Sequence, residues 1–439
     1  MNVFPIDEKI AESFRKEYGI NNIAHATIRQ IVHLVNRLEK EFEVKFIRTE
    51  MGVPGLTAPK VGVKAECDAL DNGVASSYPP IEGIPPFKEE LSRFSKLFMD
   101  IDVKPMGCIP TVGSMQASFV TFMVANKRDK TKDTTLFIDP GFPVHKRQVA
   151  IQGMKYESFD IYEYRGDKLR GKLESYLKKG NISTFLYSNP NNPAWICFTE
   201  KELKIIGELA DKYGVVVMED LAYFGMDFRE NYSNAGEAPY QPTVAKYTDN
   251  YVLLISSSKA FSYAGQRIGG LVISDKLFEM QFPHLSEVFN TDKFGAAILQ
   301  DAIYAASAGC AYSGQVALAA MLKEVNDGKY NFLAGVKEYG ERAQRMKKIF
   351  TERGFYLVYD KDEDKDLADG FYFTIAYPGM SGEKLLSELI RYGISAITLD
   401  TTGSSRTEGL RICTSQTSLE RMDELSRRVD LFVNDFKIS

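Results

Sequence analysis

Apolar residues along this chain recur with two different periods, and the switching between them predicts the architecture. In Phe87-Lys-Glu-Glu-Leu-Ser-Arg-Phe-Ser-Lys-Leu-Phe they return at helical spacing, which predicts an amphipathic helix. Continuous apolar runs follow at Thr135-Leu-Phe-Ile, Ser183-Thr-Phe-Leu-Tyr, Gly214-Val-Val-Val-Met, Tyr251-Val-Leu-Leu-Ile and Gly270-Leu-Val-Ile, each bounded by polar or turn residues. A run that is apolar at every position suits a strand buried on both faces. Helical stretches such as 200–213 lie between these runs. Strands alternating with helices predict an α/β chain with a mostly parallel sheet covered on both sides, whose ligands sit outside the strands' carboxyl ends.

After Asn326 the pattern changes. A long charged helix is predicted over about 329–353, strands at 371–376 and 410–414, and a helix at 382–392. Together these read as a smaller α+β domain. The run Asp360-Lys-Asp-Glu-Asp-Lys-Asp predicts a solvated loop, because interleaved charges have nothing to bury.

Composition narrows the class without naming it. The 439 residues are 44% hydrophobic and 26% charged, enough to bury a large core. A net charge of -5, with the basic residues spread along the chain, offers no footprint for nucleic acid. The N-terminal residues lack an apolar core of signal-peptide length, and no apolar stretch approaches the roughly 18 residues of a membrane span. The expectation is a soluble, cytoplasmic protein acting on small molecules. Five widely spaced cysteines and four histidines suggest neither a disulfide framework nor a zinc site, so no metal is expected.

Chemistry concentrates in Ser256-Ser-Ser-Lys259-Ala-Phe-Ser-Tyr-Ala-Gly-Gln-Arg267, which follows a buried-strand candidate. A lysine there becomes a nucleophile if burial or nearby positive charge lowers its pKa, and Ser256 and Arg267 could hold a phosphate. Upstream, Val216-Val-Met-Glu-Asp220-Leu-Ala-Tyr223 ends a buried strand in a carboxylate with a tyrosine three residues on. Thr111-Val-Gly-Ser114-Met115-Gln116 places small residues before an apolar helical run, where free backbone N–H groups and the helix dipole favour an anion.

These motifs, with Tyr187-Ser-Asn-Pro-Asn-Asn192-Pro-Ala-Trp between them, occur in an order that resembles the aspartate aminotransferase family, the fold type I enzymes of pyridoxal 5'-phosphate (PLP). The resemblance covers nearly the whole chain. It implies a PLP-dependent transferase fold with a mostly parallel seven-stranded sheet in a large domain at 65–325, and a small domain built from 1–64 and 326–439. It implies Lys259 carrying PLP as a Schiff base, Asp220 beside the pyridine nitrogen, and Asn192 and Tyr223 on the phenolic oxygen. Ser114, Met115, Gln116, Ser256 and Arg267 are implied at the phosphate, with Phe142 stacked on the ring. Arg411, in Gly409-Leu-Arg-Ile-Cys-Thr, and Gly52 are implied at the substrate α-carboxylate beside Asn192, and Tyr78, in Tyr78-Pro-Pro-Ile-Glu-Gly, reaches the neighbouring site of a homodimer. Ala194 and Trp195 stand where the family has Thr and Gly. Trp195 and His145 are left outside the expected site, the latter as a loop residue.

The implied activity is amino transfer between an L-amino acid and a 2-oxo acid by a ping-pong route. No arginine occurs between Arg267 and Arg342, which tilts the expected donor from aspartate towards neutral or aromatic amino acids. Lys293 or a mobile arginine could serve in its place. A β-eliminating C–S lyase on the same fold uses the same residues, and a non-catalytic PLP-sensing regulatory domain is the alternative of another class. A nicotinamide-dependent dehydrogenase is disfavoured because no GxGxxG follows the first strand candidates.

Overall fold

The structure, a computed structural model, describes residues 3–436. Its centre is a seven-stranded sheet of β1 (Cys108–Thr111), β2 (Thr134–Asp139), β3 (Lys155–Asp160), β4 (Ile182–Ser188), β5 (Val216–Leu221), β6 (Tyr251–Ser256) and β7 (Gly269–Ile273), in the order β1-β7-β6-β5-β4-β2-β3. Strands β3, β2, β4, β5 and β6 run parallel, and β7 is antiparallel to both its neighbours. The fold is therefore α/β with a mostly parallel sheet, as the strand-helix alternation predicts.

Every residue of β2, β4, β5, β6 and β7 is buried, the condition that made these runs legible. The two strands without a sequence signal lie at the edges. Strand β3 carries Lys155 and Glu157 on an exposed edge, and β1 contains Pro110, which an edge position tolerates. The amphipathic helix before β1 runs from Pro85 to Met99 and buries Phe87, Leu91, Phe94 and Phe98 against the sheet's core.

A second core joins the two ends of the chain. Ile31, Leu34, Val35 and Leu38 of a helix at Ile28–Phe42 pack with Leu385 and Leu389, and with Leu425, Val429 and Phe432. Over this core lies an antiparallel sheet of β8 (Tyr356–Leu357), β9 (Tyr372–Ala376), β10 (Ile397–Thr398) and β11 (Leu410–Cys413), in the order β10-β11-β9-β8. Thr374 pairs with Arg411 and Tyr372 with Cys413, which sets Tyr372 diagonally beside Arg411.

Two expectations need correction. The helix predicted over 329–353 spans only Glu338–Thr351. Asn331 turns back to accept a bond from Ala334 N–H, and the buried Phe332, Leu333 and Val336 draw the preceding segment into the large core. The acidic run at 360–366 forms a two-stranded hairpin rather than a wholly solvated loop, and Asp362 is buried. Its carboxylate accepts from Arg165 Nη1 at 2.7 Å, Arg229 Nη2 at 2.8 Å and the backbone N–H of Cys197 at 3.2 Å. One residue of a charged run has thus become the counter-ion of two arginines distant in sequence. Replacing Asp362 by Ala strands Arg165 with only part of its neutralisation, and should cost about 3–5 kcal/mol of stability in denaturant titrations. A loss below about 1 kcal/mol would mean the hairpin contact is dispensable.

Candidate active site

The parallel strands deliver their last residues to one edge of the sheet, the site a doubly wound topology offers a ligand. Asp139 ends β2, Ser188 ends β4, Asp220 lies one residue from the end of β5, and Ser256 ends β6. Ser188 pairs with Asp220 in register, so Asn192 and Asp220 come from adjacent strands.

Lys259 follows β6, and its amine donates to the backbone carbonyl of Gly52 from the far end of the chain. The protein around this amine strips away water and lowers its pKa to about 8; Cys413 and Asp220 oppose the shift, while Arg411 and Arg267 add to it. A fraction of the lysine is thus a free amine near neutral pH, as a nucleophile requires.

Asp220 is buried, and its Oδ1 accepts only the backbone N–H of Ala222, at 3.1 Å. Burial raises its pKa to about 7, against the pull of that N–H and of Lys259. Its Oδ2 lies 3.9 Å from Nε2 of His145. His145 is not a loop residue: it sits in the first turn of the helix Pro143–Ile151, fully enclosed, and burial lowers its pKa to about 4, leaving a neutral imidazole. Neighbouring Phe142 meets it edge to face at 5.5 Å. An isolated His-to-carboxylate approach across two strands leaves no local trace in sequence.

Arg411 is buried on β11 with its guanidinium aimed at the same place. Nη1 reaches Asn192 Oδ1 at 3.3 Å, Nη2 donates to the carbonyl of Glu50, and Nε has no partner. The guanidinium lies over the ring of Tyr372, 4.7 Å from its centroid. Gly52 is required here because a Cβ would stand 1.9 Å from the Tyr372 hydroxyl. Tyr223 and Tyr372 are both buried and share a phenol–phenol hydrogen bond of 2.8 Å.

Ser114, Met115 and Gln116 form the first turn of the helix Gly113–Ala125. Gly113 has φ +66°, and a Cβ on it would meet Arg267 Nη2 at 2.6 Å, so the arginine lies directly over this helix start. Ser256 is buried one strand away. The side chain of Gln116 is already committed, accepting from Val112 N–H and donating to Ser307, which leaves its backbone N–H as the group able to meet an anion. Tyr78 is 91% exposed in the single chain and does not contribute to the chain's own site.

Trp195 belongs beside the site. It holds φ +64°, a left-handed conformation costing a bulky residue roughly 1–3 kcal/mol. The indole is fully buried, edge-on to Tyr223 at 5.3 Å and to Tyr372 at 6.2 Å. A Cβ on Gly370 would fall 2.2 Å from the indole, so the two positions fit only as a pair.

These groups fit PLP. Asp220 is a buried carboxylate short of partners, suited to a protonated ring nitrogen, and the glycine-started helix beneath Arg267 suits a phosphate. No cluster of metal-ligating side chains occurs among the described residues.

Residues 51–429 match the family described as aminotransferase class I and II. A protein of Methanocaldococcus jannaschii described as a probable aspartate aminotransferase is 27% identical over 256 residues, 58% of this chain and 62% of that one. An aspartate aminotransferase of Pyrococcus horikoshii is 23% identical over 93% of this chain and 94% of its own. In fold, an alanine aminotransferase from Pyrococcus furiosus superposes with a TM-score of 0.74 over 95% of this chain and 99% of that one, at 19% identity.

Proposed function

The chain belongs to the class I and II aminotransferases, and we propose that it moves an amino group between an L-amino acid and a 2-oxo acid, with PLP as cofactor and one site used in turn by both substrates. The observation that carries this reading is the meeting of Lys259, Asp220 and Arg411 at the carboxyl edge of the sheet: a weakened amine, a buried carboxylate and a carboxylate-binding fork.

In this reading Ser114, Met115, Gln116, Ser256 and Arg267 hold the cofactor's phosphate. Phe142 would cover its ring, Asp220 would pair with the ring nitrogen, Asn192 and Tyr223 would hydrogen-bond the phenolic oxygen, and Lys259 would be the residue that holds it covalently. When bound, PLP supplies an electron sink for the charge left at the substrate's Cα.

The rest is done by the protein. Arg411 grips the α-carboxylate with two parallel N–H bonds, a geometry lysine cannot reproduce, while Asn192 holds the fork in plane. Gly52 keeps the backbone close without a side chain in the way. Lys259, poised near neutrality, would take the Cα proton and deliver it across the amino nitrogen, on the cofactor's side. His145, neutral against Asp220, leaves the carboxylate's charge free for the cofactor.

The absence of arginine between Arg267 and Arg342 supports neutral or aromatic donors. We further propose a homodimer in which Tyr78 reaches the partner's phosphate, and a division into bodies of 65–325 and of 1–64 with 326–439; the core shared by Ile31 and Leu425 supports the latter. All five cysteines are unpaired, which suits a reducing compartment such as the cytoplasm. No helix among the described residues is long and apolar enough to cross a membrane.

The test is a single turnover. Holoenzyme mixed with neutral and aromatic amino acids should lose its visible cofactor band and yield one equivalent each of 2-oxo acid and pyridoxamine phosphate. Release of ammonia and a 2-oxo acid with the band restored in the absence of an acceptor would replace this reading with β-elimination.

A further inference from the structure

Resting on the proposed cofactor site, we infer that Tyr372 is a second phenol of that site, acting through Tyr223 on the cofactor's phenolic oxygen. Tyr372 starts β9, on a sheet remote in sequence from every motif of the large body, yet its hydroxyl lies 2.8 Å from that of Tyr223. Each phenol has this one side-chain hydrogen bond. The pair is clamped. Gly52 lies against the Tyr372 hydroxyl, Arg411 covers its ring, and Trp195 packs edge-on to both rings.

Two phenols in contact carry two protons, and the bond between them uses one. The other is free to be donated outward, from whichever oxygen faces the acceptor. With the acceptor on the Tyr223 side, Tyr372 donates to Tyr223 and Tyr223 donates onward, and the chain polarises the outer bond beyond what a single phenol provides. The ordering shown, in which Tyr223 donates to Tyr372, is the alternative setting of the same pair, reached by rotating two hydroxyl hydrogens. The Tyr372 ring also sits under the guanidinium expected to bind the substrate carboxylate, so the phenol pair and the carboxylate site share a wall.

A strengthened donor stabilises negative charge on the phenolic oxygen and so makes the bound chromophore easier to deprotonate. Removing only the hydroxyl, in Tyr372→Phe, should raise the midpoint of the holoenzyme's visible pH titration by roughly 0.3–0.7 pH units, about a two- to fivefold change in proton affinity. Tyr223→Phe should raise it further. The double variant should match Tyr223→Phe alone, because Tyr372 acts through that residue. An unmoved midpoint in Tyr372→Phe, or additive shifts in the double variant, would overturn the inference. Absence of a visible band in the wild-type protein loaded with PLP would instead overturn the cofactor reading itself, which separates the two failures. Thermal melts of the two single variants without cofactor should agree closely, since each keeps its buried ring and leaves one hydroxyl unpaired; a Tyr372→Phe melt far below that of Tyr223→Phe would mark the hydroxyl as structural and reject the proposal.

Discussion

Lys259→Ala should lower the rate of each half-reaction by on the order of 10⁴-fold, the upper range for removing a general acid–base group. The magnitude follows from the absence of a substitute. Around the amine stand Cys413, whose thiol burial holds in its protonated form, Arg411 and Arg267, whose guanidinium groups only donate hydrogen bonds, and Asp220, whose place is taken by the proposed contact with the ring nitrogen. His145 is enclosed and lies behind Asp220. Thus no other side chain can collect a proton from Cα. Rapid-mixing measurements of the visible band, with substrate added to the variant loaded with PLP, read the step directly. Because Ala leaves a gap where the butylamine was, small amines added to the buffer should restore part of the rate in order of their basicity. Half-reaction rates within tenfold of wild type would remove Lys259 from its assigned role.

The parts of this site that could be read from the sequence are those where local composition and chemistry coincide. Five strands were legible because both faces of each are covered, so each carries an unbroken apolar stretch such as Leu136-Phe-Ile, Phe185-Leu-Tyr or Val216-Val-Met. Lys259 and Asp220 stand where such runs stop. Tyr372 is different: it lies within an aromatic run, Phe371-Tyr-Phe, that reads as ordinary core, and only the crossing of β9 over the large sheet's edge brings its hydroxyl to Tyr223. Trp195 was hidden for a related reason. Its left-handed backbone is a position suited to glycine, and the compensating residue, Gly370, is 175 positions away. Asp362 shows the same limit in a charged segment, since five of the seven residues from 360 to 366 are exposed and Glu363 is half-buried, while Asp362 is drawn inward by two arginines that sequence proximity does not reveal. Pattern carries what neighbours in sequence impose; pairings across the fold have to be seen.

Asp220→Asn separates function from stability in opposite directions. Asparagine keeps the shape and the bond from Ala222 N–H but cannot carry charge, so the ring nitrogen loses the anion that holds its proton. Amino transfer should fall about 10²–10³-fold, comparable with deleting one preorganised electrostatic partner. Stability should move the other way in protein stripped of cofactor. Burial raises the carboxyl pKa from 3.8 in the unfolded chain to about 7 in the fold, so the folded state resists ionising a group that the unfolded chain ionises readily. Below pH 4 the acid is protonated in both states and imposes no penalty; from pH 4 to 7 the unfolded chain releases the proton and the fold retains it, so stability drains away as pH rises. A proton held that much more tightly by the fold costs about 4 kcal/mol of stability at pH 8. The Asn variant should therefore be more stable than wild type at pH 8 by several kcal/mol, equal to it near pH 4, and free of the slope between. Denaturant titrations across that range measure the difference, and a wild-type curve parallel to that of the variant would show that Asp220 ionises without cost. Rebinding of PLP should stabilise both proteins and the wild type by more, narrowing the gap, because a protonated ring nitrogen supplies the charge that the fold withholds from this carboxylate.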